Sequence, residues 1–177
     1  MSEVVIVNLK DFSLIGKVDS VKTELREIFF ESSTKKDFAN SEEKEKFFWK
    51  YMGFYLAHYS EFVWIGHKDF KVLGYILGMP FSQDPTLYEI QPHMKAFQEE
   101  YANFPAHLHI NCHVDSRGMG LGQKLMLIFE GQLKAQGCKG LHAMTGPESR
   151  NRSFYEKLGF DFEQTRNGIL FLGKSLT

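Results

Sequence analysis

The stretch Arg117-Gly118-Met119-Gly120-Leu121-Gly122 constrains this chain more than any other. It joins an apolar-leaning strand candidate, Leu108–Val114, to an amphipathic helix candidate, Leu121–Gln136. Glycine allows backbone angles that other residues avoid and lets a ligand approach closely. The helix start that follows leaves N–H donors without intrahelical partners, and the macrodipole adds partial positive charge there. Together these features describe a cradle for a pyrophosphate, with Arg117 as its charged clamp. Two common nucleotide loops do not fit. A Walker loop ends in Gly-Lys-Ser/Thr, whereas this run continues Gly122-Gln123-Lys124-Leu125. A dinucleotide fingerprint needs a carboxylate roughly twenty positions on, closing the next strand. Gly140-Leu141-His142-Ala143-Met144-Thr145 has none.

Composition narrows the setting. A chain of 177 residues can bury one core and is short for two, so one domain spanning 1–177 is expected. A net charge of −1 with scattered Lys and Arg gives no basic surface for nucleic acid. The two cysteines, Cys112 and Cys138, form no disulfide framework and suit reduced thiols in a cytoplasm. The apolar runs fall short of the ~20 residues that cross a bilayer, and no leader-like amino terminus appears, so neither membrane nor export is expected.

Along the chain, Val4–Leu9 reads as a strand, and a helix capped by Asp19 or Ser20 runs to about Glu31 with Val21, Leu25, Ile28 and Phe29 at helical spacing. Lys35–Tyr59 is biased to helix and dense in aromatics. Phe62–His67 and Lys71–Met79 form a hairpin about Lys68-Asp69. Pro80–Pro105 holds several turn signals and a helix near His93–Tyr101. Leu121, Leu125, Ile128, Phe129 and Leu133 make the core face of the helix after the glycine loop.

Arg117-x-x-Gly120-x-Gly122 resembles the acetyl-CoA signature of the GNAT superfamily of N-acetyltransferases, and Phe154-Tyr155-Glu156-Lys157-Leu158-Gly159-Phe160 resembles that family's second motif. The resemblance covers Leu108 to Phe160 most specifically and extends back to Phe62. Phe104-Pro105-Ala106-His107-Leu108-His109-Ile110 and the Trp64–Gly78 region look like bacterial relatives of the acetyltransferase-like domain of O-GlcNAcases. The resemblance implies a mixed α/β fold: a largely antiparallel sheet of six or seven strands flanked by helices, with Leu108–Val114 and Gly140–Thr145 splayed apart. It implies acetyl-CoA as cosubstrate, a small amine as acceptor, no metal, and a homodimer as the common assembly. Cys112, His113 and Val114 at the strand end would grip the pantetheine through backbone groups. Arg117, Gly118, Met119, Gly120, Leu121, Gly122 and Gln123 would hold the pyrophosphate. The family's usual Asn and Ala positions are Glu148 and Asn151 here, so Asn151 or Ser149 would supply the missing arm contact.

Acetyl transfer to an amine needs a base, because an ammonium is no nucleophile, and an acid for the departing thiolate. Tyr155, the tyrosine of the second motif, is the candidate acid by resemblance. His109 is the first candidate base. His107 shares its alternation along the strand, and Asn111, His113 and Asp115 are further choices. A nucleophilic Cys112 would require an exposed thiol of low pKa. A second reading keeps the fold without turnover, as an acetyl-CoA-binding module.

Overall fold

Helices and strands alternate along the chain much as the hydrophobic periods demand. The computed structural model describes residues 3–13, 17–116, 118–149 and 151–177. Its strands are β1 (Val5–Asn8), β2 (Trp64–Lys68), β3 (Lys71–Met79), β4 (Ala106–Cys112), β5 (Gly140–Thr145), β6 (Phe162–Arg166) and β7 (Ile169–Ser175). They form one seven-stranded sheet in the order β1-β2-β3-β4-β5-β7-β6. Its parallel pair is β4 with β5, while β1/β2, β2/β3, β5/β7 and β6/β7 are antiparallel. The helices are α1 (Leu9–Ser13), α2 (Val18–Ser32), α3 (Ser41–Phe48), α4 (Phe54–His58), α5 (Pro85–Ile90), α6 (Leu121–Ala135) and α7 (Arg152–Lys157). None among the described residues is long and apolar enough to cross a membrane.

The chain packs as two units, Met1–Gly78 with His109–Phe129 and Met79–Leu108 with Glu130–Thr177. In the first, α2 buries Val21, Leu25, Ile28 and Phe29, the face its spacing predicts. It begins one residue before Asp19, and Ser20 donates to the Lys17 carbonyl at 2.9 Å instead of capping. The hairpin turn falls one residue later than its sequence suggests. Asp69 and Phe70 take φ of 51° and 65°, strained for a side chain as bulky as phenylalanine. Phe70 is held there by a stack on His67 at 5.7 Å and by the Lys17 ammonium 3.6 Å from its ring centroid.

Helix α3 is capped by Asn40. The Asn40 side chain accepts from the Glu43 N–H at 2.9 Å, and the Glu43 carboxylate accepts from the Ala39 N–H at 2.6 Å. The helix then widens into a π turn, Trp49–Gly53, before α4. The helix-biased stretch Lys35–Tyr59 is therefore a loop, a helix, a π turn and a second helix. Gly66 on β2 makes the close approach that seats α6: a Cβ there would lie 2.5 Å from Leu121 Cδ1.

In the second unit, β5 pairs with β7 along its whole length, and β4 meets β5 at Ala106↔Leu141 and His107↔His142. Gly140 lies against backbone oxygens, 2.4 Å from the Asn103 carbonyl to its would-be Cβ. Asp84-Pro85 starts a helix: the Asp84 carboxylate accepts from Thr86 N–H at 2.7 Å, and Pro85 occupies the first turn. The helix expected near His93–Tyr101 is two 3-10 turns, Pro92–Phe97 and Glu100–Ala102. A largely buried ion pair, Lys174 to Glu130 at 2.7 Å, braces β7.

Two substitutions separate the kinds of crowding. Gly66→Ala presses on a leucine side chain and should cost about 1–3 kcal/mol of unfolding free energy. Gly140→Ala meets carbonyl oxygens that cannot rotate away and should cost more. Urea denaturation of the two variants checks this order.

Candidate active site

Strand β4 ends at Cys112, and the chain is tied to β3 immediately afterwards. The His113 N–H donates to the Leu73 carbonyl at 2.8 Å. The buried Ser116 hydroxyl bridges Leu73 and His113 carbonyls at 3.1 and 2.8 Å, closing the 3-10 turn Val114–Ser116. These bonds fix where the glycine loop departs. Gly118 and Gly120 follow with φ of 77° and 68°, the left-handed region that glycine enters without cost. A Cβ on either would meet nothing within 4 Å, so their backbone faces open space. Helix α6 opens with the Lys124 N–H bonded to the Gly120 carbonyl at 3.1 Å. The amides of Leu121, Gly122 and Gln123 belong to the first turn, whose donors an α-helix leaves unused. Open glycine backbone leading into a helix start fits a pyrophosphate. Val114 and Met119 are exposed beside it. Arg117, the expected clamp, lies outside the described residues.

The same unit contains four of the candidate bases. His109 is half-buried, its ring edge-on to Tyr51 at 5.9 Å and to Tyr55 at 5.4 Å. Asn111 donates through Nδ2 to the Tyr75 hydroxyl at 2.7 Å. Burial raises the Tyr75 pKa, keeping that phenol protonated. His113 accepts from the Asp115 N–H through Nδ1 at 3.2 Å, so its neutral form carries the proton on Nε2, 3.5 Å from the Glu31 carboxylate. Asp115 pairs with Lys71 at 3.2 Å. Glu24, Glu27, Glu31, Lys71 and His113 line a pocket of about 130 Å³ here.

Cys112 is no nucleophile. Burial pushes its thiol up to about 11, only partly offset by a hydrogen bond with Ser116. Its sulfur packs against Gly74, where an added Cβ would lie 3.0 Å away.

The second unit holds the remaining candidates. His107 is buried and structural: its Nδ1 lies 2.9 Å from the Ser82 hydroxyl, which also donates to the Pro105 carbonyl at 2.8 Å. With the hydroxyl proton on the carbonyl, His107 Nδ1–H is the donor to Ser82. Tyr155 on α7 is buried between Phe154 and Phe160, and burial raises its pKa. Asn151 stands at the α7 N-cap position; its carbonyl accepts from Tyr155 N–H at 3.2 Å and its side chain caps nothing. Glu148 is exposed. The sequence reading did not single out Tyr51, Tyr55, Tyr75 or Ser116. The helical spacing of Phe47, Tyr51 and Tyr55 was the available signal for two of them.

The fold and the loop define a class, an α/β domain with an open glycine loop between a strand and a helix. The profile of the Acetyltransferase (GNAT) domain matches residues 60–161, more than half of the 177-residue chain. The chain belongs to the GNAT family of N-acetyltransferases. Its fold is similar to that of SsHAT, with a TM-score of 0.72 and 20% identity over 88% of this chain and 94% of that one. It is also similar to an N-acetyltransferase from Staphylococcus aureus Mu50, with a TM-score of 0.62 and 15% identity over 99% and 100% of the two chains. A third likeness is to the PaiA N-acetyltransferase from Thermoplasma acidophilum in complex with coenzyme A, with a TM-score of 0.65 and 14% identity over 98% and 99%.

The raised thiol pKa gives a direct expectation. At pH 7.5 Cys112 should react with a thiol-specific disulfide reagent at least about tenfold more slowly in the native protein than in urea. Cys112→Ala should leave acetyl-CoA binding intact and lower stability by about 1 kcal/mol through lost packing.

Proposed function

We propose that the chain is an acetyl-CoA-dependent N-acetyltransferase that acetylates a primary amine of a small molecule by direct attack on the thioester, with residues 1–177 working as one domain. An amino sugar is among the acceptors this reading admits. The observation that carries it is the loop Gly118–Gly120, left-handed at both glycines and open to solvent, leading into α6. The PaiA relative with coenzyme A bound, and the family match over the same loop, support acetyl-CoA as the ligand.

In this reading Arg117, Gly118, Met119, Gly120, Leu121, Gly122 and Gln123 hold the pyrophosphate, and Cys112, His113, Val114 and Asn151 contact the pantetheine. Acetyl-CoA, when bound, supplies an activated acetyl group. His109 takes the proton that makes the acceptor nitrogen nucleophilic. The Tyr155 hydroxyl gives its proton to the departing sulfur. One nitrogen–carbon bond forms and one carbon–sulfur bond breaks, and no metal enters the scheme. The raised pKa of Tyr155 supports the acid role, because the group stays protonated at neutral pH. The partners proposed are acetyl-CoA and the amine, without nucleic acid or membrane, in a homodimer; free Cys112 and Cys138 support a cytoplasmic setting.

Glu148, exposed where the family usually has Asn, supports the second reading, an acetyl-CoA-binding module without turnover. Titration calorimetry and thiol release over a panel of amines decide between them. Acetyl-CoA should bind while ATP and NAD do not, and Arg117→Ala should weaken binding about tenfold. Tyr155→Phe should lower turnover about a hundredfold with acetyl-CoA affinity unchanged. Because burial raises the phenol's pKa, wild-type turnover should show no alkaline decline from Tyr155 below about pH 10. Absence of acetyl-CoA binding would overturn both readings; binding without thiol release from any amine would leave the module.

A further inference from the structure

The π turn Trp49–Gly53 interrupts an otherwise α-helical run, with the Phe54 N–H reaching the Trp49 carbonyl. Such turns are rare, have poorer hydrogen-bond geometry than α-helix, and occur often at functional sites. This one is built into the packing. Gly53 is buried, and a Cβ on it would lie 2.8 Å from Trp49 Cε3, so the indole covers the glycine. Upstream, Phe47 and Phe48 pack on Phe29 of α2, each at 5.6 Å. Downstream, Tyr55 packs on His109 of β4. An inserted residue changes the rotation between the two helical segments by about 100° relative to a regular helix. The wide turn thereby serves both contacts.

We propose that Tyr51 and Tyr55 are positioning residues for proton removal, seated by this π turn on the ring of His109 so that its imidazole keeps one orientation on β4. The inference rests on the acetyl-transfer reading and names residues that it does not assign. The two tyrosine planes stand at 79° and 64° to the imidazole plane, with centroids 5.9 and 5.4 Å away, so two rings pack against the imidazole. Tyr55 is fully buried and cannot move aside. A base works only when its lone pair is aimed at the proton, and misorientation costs rate without loss of binding. Replacing either tyrosine ring changes what packs on the imidazole, and NMR of the His109 ring reads that change.

The test is the pH titration of the His109 ring resonances by carbon–proton NMR, assigned with His109→Ala, in the full chain. It needs neither acceptor nor acetyl-CoA. Tyr51→Leu and Tyr55→Leu should move the His109 Cε1–H resonance and its titration midpoint, and Tyr51→Phe and Tyr55→Phe should restore both. With an amine found by thiol release, the Leu variants should lose about tenfold in kcat at unchanged acetyl-CoA KM. The acid limb of their pH profiles should follow the NMR midpoint. If Tyr55→Leu does not fold, the half-buried Tyr51 carries the comparison alone. Unmoved His109 resonances in folded Leu variants would overturn the proposal, as would losses that Phe does not rescue. Failure of the underlying reading looks different: wild type would not bind acetyl-CoA, or His109→Ala would keep full turnover, while the resonances would still report whether the tyrosines hold the ring.

Discussion

Leu121 rests on a strand position that has no side chain. With Gly66 beneath it, the first residue of α6 comes so near β2 that even a methyl group would collide with its Cδ1. That approach fixes where α6 begins. Its beginning, with the His113 and Ser116 bonds to Leu73, leaves the intervening residues a short path to close. Left-handed glycines at 118 and 120 are the means of closing it. The open glycine loop is thus a consequence of packing on both of its sides. Its open backbone is the part that packing does not fill.

Burial acts alike on two candidate side chains in different units. Cys112 and Tyr155 both have raised pKa values for the same reason, desolvation of the charged form. For the cysteine this disfavours the thiolate. For the tyrosine it keeps the phenol protonated at neutral pH, as the proposed acid role requires. The histidines divide in a similar manner: His107 is committed to Ser82, whereas His109 faces tyrosine rings and is not tied into the Ser82 pair.

Much of this was legible in the residues. The glycine loop, the apolar face Leu121, Leu125, Phe129 and Leu133, and strand β5 follow from periods of 3.6 and 2 and from backbone chemistry that only glycine supplies. Other features lie beyond local pattern. Trp49-Lys50-Tyr51-Met52-Gly53 carries no breaker that marks a π turn; the cause is tertiary, in the packing of Phe47 and Tyr55 on different elements. Asp84-Pro85 gives the same signal for a turn and for a helix start, and Leu87 buried in the core decides for the helix. The tyrosines around His109 come from a segment far away in sequence; helical spacing groups them with Phe47 but does not say that they pack on β4.

The central claim is that acetyl-CoA is held by the backbone of the loop and the first turn of α6. Amide hydrogen–deuterium exchange with and without saturating acetyl-CoA measures those donors directly. Slowed exchange at Gly118–Gln123, with β7 unchanged, is the result this account predicts. Saturable binding that leaves the Gly118–Gln123 amides exchanging at the free rate would contradict it.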